Sequence, residues 1–188
     1  MTTVGILALQ GCIEPHQDHF ARLGVETVGV RHQDDLAQIQ GLVLPGGEST
    51  TMLRLLKRNE LFEPLREFVA KYPAWGICAG SILLASEVVH PDQESLSVAR
   101  LRAERNSYGS QRESFSTQLS VEGFEEDFTV DFIRAPRLFP LSDEVEILAT
   151  YNEDNVLIKD RHLLCSAFHT ELTDDSRLHQ YFVEEFLH

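Results

Sequence analysis

The stretch Ala74-Trp75-Gly76-Ile77-Cys78-Ala79-Gly80-Ser81-Ile82-Leu83-Leu84 decides how this chain is built. Ala74 to Cys78 is a short apolar run without alternation, which predicts a strand buried on both faces. Ala79 to Val88 switches to a helical pattern with no loop between. A strand that turns straight into a helix is the unit of a doubly wound α/β fold. At such an elbow the apex side chain stands out above the sheet and only small neighbours fit around it. Gly76, Ala79 and Gly80 are those neighbours, and Cys78 is the apex. A helix N-terminus also favours a thiolate. The bland alternative is a small buried packing thiol.

Upstream, the same alternation repeats. Val4 to Leu9, Val25 to Val30 and Gly41 to Leu44 read as strands. Glu14 to Leu23, Ser49 to Arg58 and Leu61 to Ala70 read as helices, with Pro15 suited to a first turn and Asp34 to Gln38 as one or two helical turns. Downstream, Phe115 to Val121 and Phe128 to Arg134 alternate apolar and polar residues. Val145 to Tyr151, Val156 to Lys159 and Leu163 to Phe168 follow after short turns. These predict antiparallel strands, added to the sheet edge or forming a small excursion. Asp174-Asp175-Ser176 offers capping side chains to a last helix that carries Leu178, Phe182 and Phe186 on one face. The acidic stretch Glu122 to Asp127 reads as a solvated loop. No repeat or linker interrupts the chain, and 188 residues suit a single domain spanning 1–188.

Charge and cysteine usage exclude several classes. Sixteen Lys and Arg against thirty Asp and Glu leave a formal charge of −14. That balance opposes sequence-independent nucleic-acid binding and docking on anionic lipid. No apolar run is long enough to span a bilayer, and the N-terminus lacks the basic region of a signal peptide. The three cysteines, Cys12, Cys78 and Cys165, match no disulfide framework or zinc pattern, so free thiols in the cytoplasm and no metal are expected.

Four further segments carry chemistry. Phe168-His169-Thr170-Glu171 follows the apolar strand Leu163 to Ala167. In extended backbone, residues i and i+2 share a face, so Glu171 can orient the His169 ring. His16-Gln17-Asp18 has the same spacing but lies in a helical stretch, where the two side chains diverge. Cys78, His169 and Glu171 therefore compose a candidate nucleophile, base and orienting carboxylate. Pro45-Gly46-Gly47-Glu48-Ser49-Thr50-Thr51 lies between a strand and a helix. A phosphate loop needs Lys where Glu48 stands. The segment suits an oxyanion hole made by the Gly47 and Ala79 amides, the alternative being a plain turn with a serine cap. Arg105, in Arg105-Asn106-Ser107-Tyr108-Gly109, and Arg134, in Phe132-Ile133-Arg134-Ala135-Pro136, are candidates for holding a small carboxylate, though surface arginine is the commoner role.

The segments Gly5 to Gly11, Gly41 to Met52 (GLVLPGGESTTM), Glu63 to Arg66, GICAG at 76–80, ERNSYG at 104–109, FIRAP at 132–136 and FHTELT at 168–173 carry a resemblance that runs nearly end to end. The chain resembles the glutaminase subunits of pyridoxal 5'-phosphate synthase, within the class I, triad-type glutamine amidotransferases. The resemblance implies a flavodoxin-like three-layer α/β sandwich, mostly parallel, with antiparallel additions in the second half. It implies hydrolysis of L-glutamine by Cys78, His169 and Glu171, without a cofactor, and a glutamine pocket lined by Gly47, Glu48, Ser49, Arg105, Ile133 and Arg134. It implies a (β/α)-barrel synthase subunit as partner, which receives the ammonia and completes the oxyanion hole on docking near Gln10-Gly11. Thr170 and Ser81 depart from the resemblance, which has Pro and an aliphatic residue there; Pro would hold His169 extended, and Thr does not enforce that geometry. A γ-glutamyl hydrolase or intracellular peptidase on the same sheet would need no partner, and a regulatory module would have no use for all three triad positions.

Overall fold

A computed structural model describes residues 2–105 and 114–187. Asn106 to Gly109, part of one segment singled out above, lie outside the described residues. The apolar runs of the first half form β1 (Thr3–Leu7), β2 (Glu26–Val30), β3 (Gly41–Leu44) and β4 (Ala74–Ile77). They lie side by side in the order β2-β1-β3-β4, all parallel. Every residue of β3 and β4 is buried, the pattern of strands covered on both faces. Between them run α1 (Glu14–Arg22), a 3₁₀ turn at Gln33–Gln38, α2 (Ser49–Arg58) and α3 (Phe62–Val69).

The elbow helix differs from expectation. α4 covers only Ala79–Leu84, and the chain then passes directly into a strand, β5 (Ala85–Val89). Val88 and Val89 are β-branched and favour extended backbone. Parallel pairing of β5 with β6 (Ala99–Glu104) draws them into the sheet. β6 and β9 (Arg137–Pro140) were not expected as strands. β6 is built from Ala, Arg, Leu and Glu, whose intrinsic β preference is weak, and β9 is four residues ending in Pro140, so cross-strand pairing decides their conformation.

β7 (Phe115–Leu119) and β8 (Phe128–Phe132) form a separate antiparallel ribbon. β10 (Glu146–Tyr151), β11 (Asp154–Asp160) and β12 (Leu163–Ser166) extend the main sheet. Its order is β2-β1-β3-β4-β12-β11-β9-β6-β5, with β10 paired to β11. Thus both expected outcomes occur: antiparallel strands join the sheet, and one hairpin leaves it. β12 is parallel to β4, which continues the first half's direction across the junction.

α5 (Arg177–Phe186) closes the structure, with Leu178 and Phe182 fully buried and Phe186 packed at the core margin. It packs beside α1, while α2 packs against α3 and α4. Two helical layers thus cover a mixed, mostly parallel sheet, in agreement with a flavodoxin-like sandwich. Trp75, Phe20, Phe128, Phe132, Phe168 and Phe182 fill the core. Gln10, Gly46-Gly47, Cys78 and His169 follow β1, β3, β4 and β12 respectively. In an open parallel sheet the crevice beyond the strands' carboxyl ends is where ligands bind.

Candidate active site

The elbow begins with backbone strain. Cys78 has φ 49° and ψ −100°, a conformation L-residues seldom adopt. Its amide donates to the Ser166 carbonyl at 2.8 Å, and its carbonyl accepts from the Ile82 amide at 3.1 Å. A Cβ on Gly76 would lie 2.7 Å from the Gly80 backbone, and one on Gly80 would overlap the Leu44 carbonyl. The glycines therefore permit helix α4 to press against strands β3 and β4. Ser81 Oγ lies 2.8 Å from the carbonyls of both Gly76 and Ser166. An aliphatic residue there would leave this polar clip unmade, which gives the departure at Ser81 a physical role. The elbow holds the Cys78 thiol toward the cleft at 6% exposure, with Sγ 3.8 Å from the Ile133 carbonyl.

His169 is reached from the next strand, β12. Its amide donates to the Asp131 carbonyl at 2.7 Å, and its carbonyl accepts from the Asp131 amide at 2.9 Å. This bridge to β8 holds His169 extended, the task a proline at 170 would otherwise perform. Its Nδ1 lies 2.6 Å from Glu171 Oε1. An ionised carboxylate only accepts, so Nδ1–H donates and Nε2 is left for the Cys78 thiol. Burial disfavours the imidazolium, but hydrogen bonds with Cys78 and Glu171 outweigh it and raise His169 to about 10. Burial also opposes ionisation of Glu171, yet the His169 hydrogen bond and the nearby His16 hold it below the usual range. The arrangement can withdraw a thiol proton, store it on a ring stabilised by a buried carboxylate, and return it to a leaving group.

A cleft of about 550 Å³ opens in front of Cys78. Gly47, Glu48, Ser49, Ala79, Cys78 and His169 line one part of it, and Arg105, Ile133 and Arg134 the other. Of the residues singled out from the sequence, only Glu171 stands back from the wall, behind the His169 ring. Gln10, Cys12, Ile82, Ser114 and Leu172 also line the cleft. Spacing offered no signal for Ile82, Ser114 or Leu172, because packing alone brings them there.

Glu48 has a task beyond the one expected. Its carboxylate caps α2, accepting from the Thr50 amide at 3.2 Å and the Thr51 amide at 2.7 Å. Thr51 Oγ1 donates to it as well, at 2.6 Å. The cap is therefore glutamate rather than serine; Ser49 Oγ instead donates to Gln93 Oε1 at 2.9 Å. Arg105 Nη2 lies 3.6 Å from Glu48 and 3.1 Å from Thr50 Oγ1. Arg134 is exposed at the cleft margin with φ 47°. Gln10 Oε1 accepts from the Glu48 amide at 3.0 Å, and a Cβ on Gly47 would lie 2.5 Å from the same oxygen. The Gln10 carboxamide thus packs on the Gly47–Glu48 peptide. The Ala79 amide heads α4, where first-turn N–H groups have no intrahelical acceptor.

The other two thiols are different. Cys165 is buried in β12, and desolvation pushes it up to about 12. Cys12 borders the cleft, with burial and the charge of Glu171 both raising it. Among the described residues no cluster of His, Cys, Asp or Glu is arranged to hold a metal ion. No described helix is long and apolar enough to cross a membrane.

Comparison with known proteins shows the family and the fold. The pyridoxal 5'-phosphate synthase subunit PdxT of Thermosipho africanus is 44% identical over 181 residues, 96% of each chain. The PdxT of Geobacillus thermodenitrificans is 47% identical over 181 residues, 96% of this chain and 93% of the relative. A crystal structure of a glutamine amidotransferase, 42% identical, superposes with a TM-score of 0.89 over 96% of this chain and 97% of the other. PurLQS from Thermotoga maritima, at 15% identity and a TM-score of 0.76 over 98% of each chain, shares the fold. Residues 6–188 match the SNO glutamine amidotransferase family, and the chain belongs to that family.

Proposed function

We propose that this protein is the glutaminase subunit of a cytoplasmic pyridoxal 5'-phosphate synthase, hydrolysing L-glutamine through Cys78, His169 and Glu171. The observation that carries the reading is the strained Cys78 elbow facing a His169–Glu171 pair in one cleft. Near-full-length identity to proteins named PdxT supports the synthase assignment.

Glutamine binds with its side-chain amide carbon over Cys78. His169 takes the thiol proton, and the thiolate adds to the amide carbon. The oxyanion is held by the Gly47 and Ala79 amides; one such donor is worth roughly 10²–10³ in rate. The ring then gives its proton to the departing nitrogen, and ammonia leaves. Water, deprotonated by the same ring, adds to the thioester, and the thiol leaves with glutamate as product. The glutamine α-carboxylate pairs with Arg134 and Arg105. Glu48, half exposed, keeps enough free surface to meet the α-ammonium while capping α2.

Ammonia must pass to a partner. A (β/α)-barrel subunit that builds the cofactor fits the face around Gln10 and Leu172, where a 45%-exposed leucine sits beside the cleft. Gln10 packed on the Gly47–Glu48 peptide couples that face to the oxyanion hole. The test is glutamate release with and without a barrel subunit. Release should rise on adding the subunit, and Cys78→Ala should lower the stimulated rate by on the order of 10⁴. Retention of most activity in that variant overturns the triad, and full activity alone overturns the coupling.

A further inference from the structure

Glu171 is approached from two sides, and only one of them belongs to the chemistry described above. Behind it lie three histidines. His16 and His19 sit one turn apart on α1, at 0% and 2% exposure, and His179 on α5 is fully buried. His16 Nε2 lies 3.9 Å from Glu171 Oε1, the same oxygen that accepts from His169. His16 Nδ1 lies 2.8 Å from His179 Nε2. His19 Nε2 reaches the Glu171 backbone carbonyl at 3.3 Å, and its Nδ1 lies 2.7 Å from Ser176 Oγ. His179 stacks on His19 at 4.2 Å, and Trp75 meets His179 edge-on at 4.9 Å. Helix α1 therefore touches Glu171 twice, at the carboxylate and at the backbone.

The carboxylate decides the proton positions. If His16 carried its proton on Nδ1, its Nε2 lone pair would face an anion inside a dry core. The Nε2–H tautomer faces the anion with a positive dipole instead. Nδ1 must then accept, so His179 donates from Nε2 and keeps a lone pair on Nδ1. Among the described residues neither that Nδ1 nor His16 Nε2 has a hydrogen-bond partner, so each tautomer leaves one N–H and one lone pair unpaired, and the facing anion decides between them. His19 follows the same logic, donating Nε2–H to the Glu171 carbonyl and accepting from Ser176.

This proton arrangement needs neutral rings at His16 and His179. His16 faces Glu171 and His169 from the segment after β12, His19 on its own helix and His179 on α5; Arg22 also acts on His179. Burial outweighs the attraction of Glu171 and lowers His16 to about 4, and it lowers His179 well below the usual range. At 3.9 Å the His16–Glu171 contact is a charge–dipole contact, longer than a hydrogen bond. Both side chains are fully buried, so the contact lies in a low-dielectric surrounding. Among the described residues Glu171 Oε2 is buried with no side-chain hydrogen-bond partner, so His169 and His16 are the side chains that face the carboxylate.

We propose that His16 is a positioning residue of the glutaminase reaction, its Nε2–H, fixed by His179, keeping the Glu171 carboxylate aimed at His169. This rests on Cys78, His169 and Glu171 forming the triad. A ring held in the wrong orientation loses rate without losing substrate affinity, by roughly 10- to 100-fold for displacements near 1 Å.

The experiment compares His16→Leu, His16→Gln and His179→Leu in the full-length chain with a barrel subunit present. Two readouts are used: glutamine kcat and KM, and the pH dependence of Cys78 alkylation by iodoacetamide. His16→Leu should lower kcat about tenfold or more with KM within twofold, and move the alkylation midpoint to higher pH. His16→Gln presents an N–H near the Nε2 position and should recover most of both. His179→Leu keeps His16 but frees its tautomer, and should give a smaller loss in the same direction. Equal behaviour of the Leu and Gln variants at 16, or an unchanged alkylation midpoint in His179→Leu, overturns the proposal. If His16→Leu does not fold, the Gln and His179 variants decide it. Cys78→Ala and His169→Ala run alongside. Activity surviving in those two would sink the triad itself, whereas loss there with unaffected His16 variants would sink only the positioning role.

Discussion

His169 and His16 both lie beside one oxygen of Glu171, yet they are driven in opposite directions. His169 touches Oε1 at 2.6 Å and faces a thiol, and it is raised to about 10. His16 stands 3.9 Å from the same oxygen, fully sealed, and is lowered to about 4. A difference of 1.3 Å (3.9 − 2.6) and the loss of a cleft-side partner reverse the sign. Direct hydrogen bonding outweighs desolvation on the front of the carboxylate, and desolvation wins on the back. One buried charge thus favours a proton on the ring in front of it and leaves the sealed ring behind it neutral.

The most severe way to break this contrast is Glu171→Gln. The amide removes the charge that both histidines face while keeping the shape. Glutaminase kcat should fall roughly 10⁴-fold, as for other triads that lose the orienting carboxylate. An NMR titration should show His169 dropping toward its ordinary value. A His169 that stays high would mean Cys78 alone supports the imidazolium.

Gly46→Ala disturbs the front alone. A Cβ at Gly46 would fall inside contact of the His169 Cε1 atom, so the ring must rotate or the Gly46 loop must move. A kcat loss of about 10² is expected, with the fold retained. Wild-type kcat in this variant would show that the ring tolerates displacement and would weaken the case for tight positioning.

The smallest effect concerns pH and reports on the back. His16 and His179 have folded values below their unfolded ones, so their contribution is full above about 6.5 and declines as pH falls, that of His16 being lost through about 4. His169 is raised, so its contribution is full below 6.5 and lost as pH rises through about 10. Urea unfolding at pH 7 and pH 4 should differ by a few kcal/mol, with the acid loss reduced in His16→Leu. An acid limb identical in that variant would place the sensitivity elsewhere.

Much of the site could be read from local pattern. The elbow needs only small residues at 76, 79 and 80 and a strand-to-helix change, all visible in a few consecutive letters. His169 and Glu171 share a face because extended backbone alternates. The strands β3 and β4 and helix α2 follow from short apolar runs and helical periodicity. Three things were not legible. The helix after Cys78 ends at Leu84 because β6, fourteen residues further on, recruits Ala85–Val89 as its neighbour. Glu48 spends its carboxylate on a helix cap, which depends on backbone angles rather than on spacing. His16 was set aside because its own Asp18 points elsewhere; its partners come from residues 171 and 179 instead.

The sequence by itself determined the parallel half of the sheet, the thiol at the elbow and the family of the chain. Those depend on interactions between near neighbours in the chain, which composition and spacing encode. Only the tertiary structure decided which histidines surround Glu171 and with what charge. Packing α1 against α5 closes that pocket, and the free energy of a buried proton depends on what lies within a few ångströms in space, whatever the distance along the chain.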